Sequence, residues 1–389
     1  MKNAFAFLQK NPKVIVVALW IFFTFLWYLR FGFVFTLEAP KYIGEANYFL
    51  KHHHFSQFRY LFYSTLIVVI AFSLSIKIGT VGALLIIMAV NLWAYLFLFS
   101  SLQRFFGRVL PALLSIGLLL SFWPYHSWTV FLFTECIFYS FVLFLFGHLL
   151  RFNGLNFRFL SITGVLLFLL LLSRPLGILF VPPVLLFIFV HLSKRQRLYM
   201  AFAGIGFLVL LNYIVEIFFT TTADWSMAYA LTGDMITCDM PVYNSSYHPE
   251  LSNSPNQLYQ LWYYLQHNFP HFLGLAAKRL QYFFFLVKPF HSLGHNLYLI
   301  AYDIVIYGSL VWNFNRIRRA VPTAVLLFIF SSILLFALAT ALQCDEYHSR
   351  FALTLTPFWI SLTVMGWWPL LQKFLASRLQ ENGFMKTLE

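Results

Sequence analysis

Charge is what this chain has least of. Only 10% of its 389 residues are Asp, Glu, Lys or Arg, against 61% hydrophobic and 21% aromatic residues, and the mean hydropathy is +0.77. A soluble domain needs far more charge on its surface, so composition excludes one and predicts an all-α polytopic membrane protein. Cysteine is also scarce: Cys136, Cys238 and Cys344 have no metal-ligand spacing. Cys136 falls in an apolar run, whereas Cys238 and Cys344 fall in loops, where a disulfide and two free thiols both remain open. There is no phosphate-binding glycine loop, no internal repeat and no separate soluble domain, so residues 1–389 read as one membrane domain.

Acid is scarcer than base, 13 residues against 26, and the +13 net charge is a topology signal. Sixteen Lys and Arg fall in short loops or at the chain ends: Lys2, Lys10, Lys13, Arg104, Arg108, Arg151, Arg158, Lys194, Arg195, Arg197, Arg316, Arg318, Arg319, Lys373, Arg378 and Lys386. Only Glu381 and Glu389 accompany them, which marks the cytoplasmic side. The other ten basic and eleven acidic residues nearly cancel, and no nucleic-acid partner is expected. With about 20 apolar residues per crossing, ten helices are expected: Val14–Phe35, Thr80–Ser100, Val109–Trp123, Trp128–Leu150, Phe159–Ser173, Leu176–Leu192, Leu198–Phe219, Leu297–Trp312, Val321–Ala341 and Phe351–Trp368. Val14–Phe35 is too long for a signal-peptide core and lacks a cleavage site, so it reads as a retained helix. Tyr60–Ile76 is apolar enough to be an eleventh. Counting it would move the Arg104, Arg108 and Lys194 clusters outside, so it is placed in the outer interface.

Two outer loops, residues 36–79 and 221–296, break the pattern and carry juxtamembrane helices. In the first, Pro40 suits a first helical turn and sets Ala39 outside helical geometry, so Glu38 stands just ahead of the helix and Glu45 within it. Both are candidate catalytic carboxylates, or else solvated loop acids. Glu135 is expected one and a half turns inside an apolar helix, where an unpaired carboxylate costs on the order of 2.5–3.5 kcal/mol at the helix centre and less near its ends. It calls for a partner such as Arg174 or for a wet cavity. Arg174-Pro175-Leu176-Gly177 is a turn recessed below the outer surface, and its guanidinium suits either a phosphate or the last carbonyls of the preceding helix. Cys344-Asp345-Glu346-Tyr347-His348-Ser349-Arg350 is a polar turn opening the last helix. Arg350, with Arg59, Arg174 and Lys288, is a candidate phosphate ligand, while Asp345, Glu346 and His348 are candidate acceptor or loop residues. Lipid-headgroup snorkelling is the alternative for such cations. His52-His53-His54 cannot converge on one metal, and no metal site is assigned. Asn244-Ser245-Ser246 fits a glycosylation sequon.

The order of these features resembles the GT-C superfamily of membrane glycosyltransferases that use polyprenyl-phosphate sugars, especially protein O-mannosyltransferases and the lipid A aminoarabinose transferase. The similarity rests on Glu38-Ala39-Pro40-Lys41-Tyr42-Ile43 followed by Ala46, on Arg104-Phe105-Phe106-Gly107-Arg108, on Pro124 and Thr134-Glu135, and on Arg174-Pro175-Leu176-Gly177. It continues through His267-Asn268-Phe269-Pro270 with Lys278-Arg279 and ends at Arg350 with Pro357. The resemblance implies Glu38 as catalytic base, Glu135 as supporting acid and Tyr42 as part of the acceptor loop. Its substrates would be a polyprenyl-phosphate-linked sugar and an acceptor glycan, lipid or protein, met at the outer face of a membrane, most simply the bacterial plasma membrane. The family usually has Asp where this chain has Glu38. The extra methylene moves the carboxylate by about 1.5 Å, when about 1 Å of misplacement can cost a hundredfold. No cofactor is assigned, and a divalent-metal requirement stays open. The alternatives are a lipid-linked-substrate transporter or flippase and an O-antigen-type polymerase.

Overall fold

In a computed structural model the chain is described over residues 11–202, 204, 206, 213, 231, 233–238, 243, 246–254, 256–344 and 349–381, by backbone only from 374. The regular elements among the described residues are all helices, with an isolated β-bridge between Val34 and Phe131. In chain order the α-helices are α1 (Pro12–Phe31), α2 (Ala39–His52), α3 (Ser64–Ser75), α4 (Gly79–Phe106), α5 (Val109–Ser121), α6 (Trp123–His126), α7 (Thr134–Leu150) and α8 (Phe157–Ser173). They continue with α9 (Val181–His191), α10 (Gln257–His267), α11 (Phe269–Phe285), α12 (Leu293–Ala320), α13 (Thr323–Leu342), α14 (Arg350–Thr354) and α15 (Thr356–Glu381). Tight 3-10 turns at Phe58–Tyr63, Ser127–Val130 and Pro175–Phe180 lead into or link them.

Five helical segments are long and apolar enough to cross a bilayer: Pro12–Phe31, Phe58–Ser75, Gly79–Phe106, Leu293–Ala320 and Thr323–Leu342. A sixth is α5 joined, through a 72° bend, to Trp123–Val130. Apolar Thr134–Leu150, Phe157–Ser173 and Pro175–His191 are shorter. The chain is therefore an integral multi-pass membrane protein, and length and composition account for five or six crossings: four or five of the ten expected, together with Phe58–Ser75, which the sequence places in the outer interface. Most of the expected span Leu198–Phe219 lies outside the described residues.

Helix α7 is the axis of the bundle. Sixteen of its 17 residues are buried, so it is surrounded on every side. Its main partner is α4, and Asn91 on α4 joins three helices by accepting from Trp20 Nε1 (2.9 Å) and donating to Ser140 Oγ (3.0 Å). Satisfying both ends of an amide inside an apolar bundle fixes the register of α1, α4 and α7. At one end, Arg151 donates to Ser101 Oγ (2.7 Å) and lies over the Phe97 ring. At the other end sit Glu38 and Glu135. Peripheral helices turn apolar side chains outward, among them Phe25 and Leu29 on α1 and Val311 and Trp312 on α12, a surface suited to lipid chains.

Two expected boundaries are corrected. Trp128–Leu150 is not one helix: Ser127–Val130 is a 3-10 turn, Phe131 is extended, and α7 begins at Thr134. Glu135 thus lies in the first turn of α7, where a carboxylate faces the positive end of the helix dipole, rather than deeper in an apolar helix. Helix α2 begins at Ala39, one residue earlier than Pro40 suggested, with Glu38 at its N-cap. The contacts of Phe58–Ser75 keep it near the carboxylate end. Thr65 donates to Ser173 Oγ (2.9 Å) at the end of α8, and Ser73 donates to Gly79 O at the start of α4. Because Cys136 meets Ile87 O, Gly79 lies eight residues, or about 12 Å, beyond the level of Cys136 in the first turn of α7.

Candidate functional site

The chain leaves α1 at Gly32 (φ 66°) and runs alongside residues 130–132: Val34 N donates to Val130 O (3.0 Å) and Leu132 N to Val34 O (3.1 Å). This two-bond clasp holds the loop carrying Glu38 against the entry to α7, which carries Glu135. The third contributor, Arg174, is the extended residue between α8 and the Pro175 turn. That turn packs so closely that a Cβ on Gly177 would meet Leu170 C at 2.3 Å, so glycine alone lets it fold back over α8. The fourth, Arg350, opens α14 directly after Ser349, which has φ 54°.

The four side chains form one chain of charge. Arg350 Nη2 lies 2.8 Å from Glu38 Oε1, and its Nη1 lies 2.7 Å from Glu135 Oε1. Arg174 Nη1 donates to the same Glu135 oxygen. Glu135 is fully buried, Arg174 and Arg350 nearly so, while Glu38 keeps 27% of its side chain exposed. Two arginines answer two carboxylates, so the buried part of the network is neutral. On the exposed side Lys41 Nζ approaches Glu38 Oε2 (3.4 Å) and Tyr42 OH donates to the same oxygen (3.3 Å). The Arg350 guanidinium lies over the Trp128 ring (4.9 Å), and its carbonyl accepts from Tyr139 OH (3.4 Å) and Thr354 Oγ1 (2.9 Å). The second Glu135 oxygen is buried and has no hydrogen-bond partner among the described residues, which leaves an acceptor for a ligand or a water.

Burial pushes the Glu38 carboxyl up, but the charge and hydrogen bond of Arg350, helped by Lys41 and Arg174, outweigh it and bring the group down from 4.5 to about 2. A depressed acid stabilises the fold above its unfolded-state value, and that contribution is lost as pH falls through the folded value. The expected result is a stability gap between wild type and Glu38→Gln of up to about 3 kcal/mol at pH 7. It should close between pH 4.5 and 2, as denaturant titrations of the detergent-solubilised protein across that range would show.

The other predicted residues are placed elsewhere. Glu45 closes the first loop, accepting from Ser56 N (2.6 Å) and Ser56 Oγ (2.5 Å), which gives it a structural role on α2. Arg59 lies over the Tyr60 ring (5.3 Å). Lys288 is buried in the turn between α11 and α12, where its ammonium lies 5.9 Å from the Phe290 ring centre. Asp345, Glu346 and His348 lie outside the described residues, as do Asn244 and Ser245 of the sequon. Sequence reasoning missed Trp128 and Tyr139, which position Arg350. Nothing local marks them; the contact spans more than 200 residues. Lys41 had a signal, the (i, i+3) spacing from Glu38.

Cys238 and Cys344 are disulfide-bonded. The bond ties the segment before α10 to the chain six residues ahead of Arg350. Beside it Arg279, buried on α11, donates to Met235 O (2.8 Å) and Ala341 O (2.9 Å). Burial lowers its guanidinium to about 10, against the opposing pull of Tyr264 and Asp234. Peptide mapping under non-reducing conditions should recover the Cys238–Cys344 pair, with Cys136 alkylated only after unfolding; alkylation of all three in the native protein would contradict it. Among the described residues no group of three or more His, Cys, Asp or Glu could hold a metal ion.

No protein-family model, no curated protein and no solved structure matches this chain.

Proposed function

We propose that the protein is a membrane glycosyltransferase that moves a sugar from a polyprenyl-phosphate donor to an acceptor hydroxyl by a single inverting displacement at the outer face of the membrane. The observation that carries the reading is the Glu38–Arg350–Glu135–Arg174 network. Four segments far apart in sequence bring charge to one end of an apolar bundle, where burial is costly and function is the usual reason for it. The resemblance to the GT-C superfamily supports the reading through the same residues.

The topology of the reading has about ten crossings. The Arg-rich loops lie in the cytoplasm and the carboxylate end lies outside. Phe58–Ser75 then climbs beside the start of α4 within the outer leaflet and does not cross, in keeping with its contacts to Ser173 and Gly79.

In this mechanism the partly exposed Glu38 accepts a hydrogen bond from the acceptor hydroxyl as its oxygen attacks the anomeric carbon. The bond from that carbon to the phosphate oxygen breaks, and the lipid phosphate leaves with the bonding pair. The hydroxyl proton passes to Glu38 and then to water. A carboxyl held at about 2 is a weak base. An anionic donor that draws Arg350 toward itself removes the main charge depressing Glu38, so donor binding raises its basicity when the proton must move.

The test is turnover. Purified protein incubated with a panel of polyprenyl-phosphate sugars should convert one of them to polyprenyl phosphate. A transporter or flippase would return every donor unchanged.

A further inference from the structure

Arg174 and Arg350 are both engaged by carboxylates, so a donor phosphate that draws on Arg350 needs further hydrogen-bond donors to hold it. Beside the network, between α6 and the start of α12, lies a cavity of about 60 Å³. A single water needs roughly 10–15 Å³ of such space, so the cavity takes a group of several heavy atoms. Its walls include Ser127, Trp128, His291, His295 and Ser349. Trp128 is shared with the site, since its ring lies under Arg350.

Two features of the walls point to a ligand. Ser127 and Ser349 are only 7% and 5% exposed, and no hydrogen bond engages either hydroxyl among the described residues. Both residues line the cavity with hydroxyls that are not sealed into the packing, so two donors are offered to a guest with oxygen acceptors. Opposite them, the His291 and His295 rings stack 4.2 Å apart. The charged surroundings are basic: Lys288 lies three residues before His291, Arg350 lies across the Trp128 ring, and Arg30 in the last turn of α1 is close enough to His295 to act on it electrostatically. The nearest carboxylate along α12 is Asp303, eight residues or about 12 Å beyond His295. Leu293 and Leu297, on the same first turns of α12, are 75% and 55% exposed, so the cavity is within one helix width of the apolar surface.

We infer that this cavity is a phosphate site: Ser127, Ser349, His291 and His295 hold the phosphate of a lipid phosphate monoester beside the Glu38–Arg350 network. Hydroxyls and imidazoles can donate to several oxygens of a tetrahedral anion at once, and the nearby cations balance its charge, with Arg350 shared between the anion and the carboxylates. This deepens the reading above and rests on it for the identity of the lipid, but the phosphate chemistry is testable without turnover.

The experiment measures binding of geranyl monophosphate, geraniol and inorganic phosphate to the full chain in neutral detergent by calorimetry. The expected result is saturable binding of geranyl monophosphate and none of geraniol. Ser127→Ala/Ser349→Ala and His291→Asn/His295→Asn should each weaken it at least tenfold, while Arg195→Gln at the opposite end of the bundle should not change it. Each variant is first checked for a wild-type melting temperature. If a double variant fails that check, Ser127→Ala alone, which removes one hydroxyl, should weaken binding at least threefold. Inorganic phosphate binding with the same variant dependence would support the site and identify free phosphate as a ligand. Wild-type affinity in the folded serine variants, or equal binding of geraniol, would overturn it. Phosphate binding that depends on the serines, with no donor consumed, would fail the transferase reading and leave the phosphate site intact.

Discussion

Glu135→Gln is expected to destabilise the protein by about 3–5 kcal/mol, the usual cost of breaking a buried ion pair by removing one partner. Glu135 meets both Arg174 and Arg350. Without its charge two nearly buried guanidiniums share Glu38, which is partly exposed and already engaged by Lys41. The amide keeps the size of the side chain, so the loss isolates charge from packing. Adding Arg174→Met should recover part of the stability, because it removes one of the stranded cations and leaves Arg350 matched to Glu38. A double-mutant cycle read by thermal unfolding in detergent would show this as a coupling of more than about 1 kcal/mol between the two positions. Additive effects, or a Glu135→Gln protein within 1 kcal/mol of wild type, would mean that the pair does not hold the end of the bundle together.

Glu38→Gln should leave a folded protein and reduce sugar transfer by at least a hundredfold, the lower end of what a positioned general base contributes. Its side chain is the least buried of the four and has an oxygen on the exposed side, near Tyr42. The stability lost, bounded by the shift from 4.5 to about 2, is smaller than that expected at Glu135, because Arg350 keeps a second carboxylate. Glu38→Asp is informative in the other direction. It draws the carboxylate back by about 1.5 Å from both Arg350 and the acceptor, so transfer should fall between the two, with partial loss of the pH-dependent stability. Tenfold or less loss in Glu38→Gln, in protein shown to be folded, would assign the proton to another group.

Much of this architecture is readable from local pattern. The apolar runs are helices, Pro40 opens α2 with Glu38 just ahead of it, and Arg174 lies at a turn between two short helices. What pattern does not reach is where a uniformly apolar run breaks. Trp128 to Leu150 contains no proline or glycine before Gly147, yet the chain leaves helical geometry at Phe131, because Val34 takes its neighbours' backbone hydrogen bonds. Pattern is also silent on the distant partners of a charge. Arg350 meets two glutamates more than 200 residues away, and Glu45, seven residues after Glu38, is instead held by Ser56. The pairing of Cys238 with Cys344 likewise depends on the position of α11 beside α13, where Arg279 joins the two segments.

The central claim is that Glu38, held by Arg350, acts on a sugar carried by a lipid phosphate. A single-turnover assay with purified wild type and Glu38→Gln, following a polyprenyl-phosphate sugar by mass, tests it most directly. Wild type should convert the donor to polyprenyl phosphate with the sugar joined to the acceptor, while folded Glu38→Gln retains the donor. Equal conversion by both proteins, or a donor unchanged by wild type across the whole panel, would contradict it.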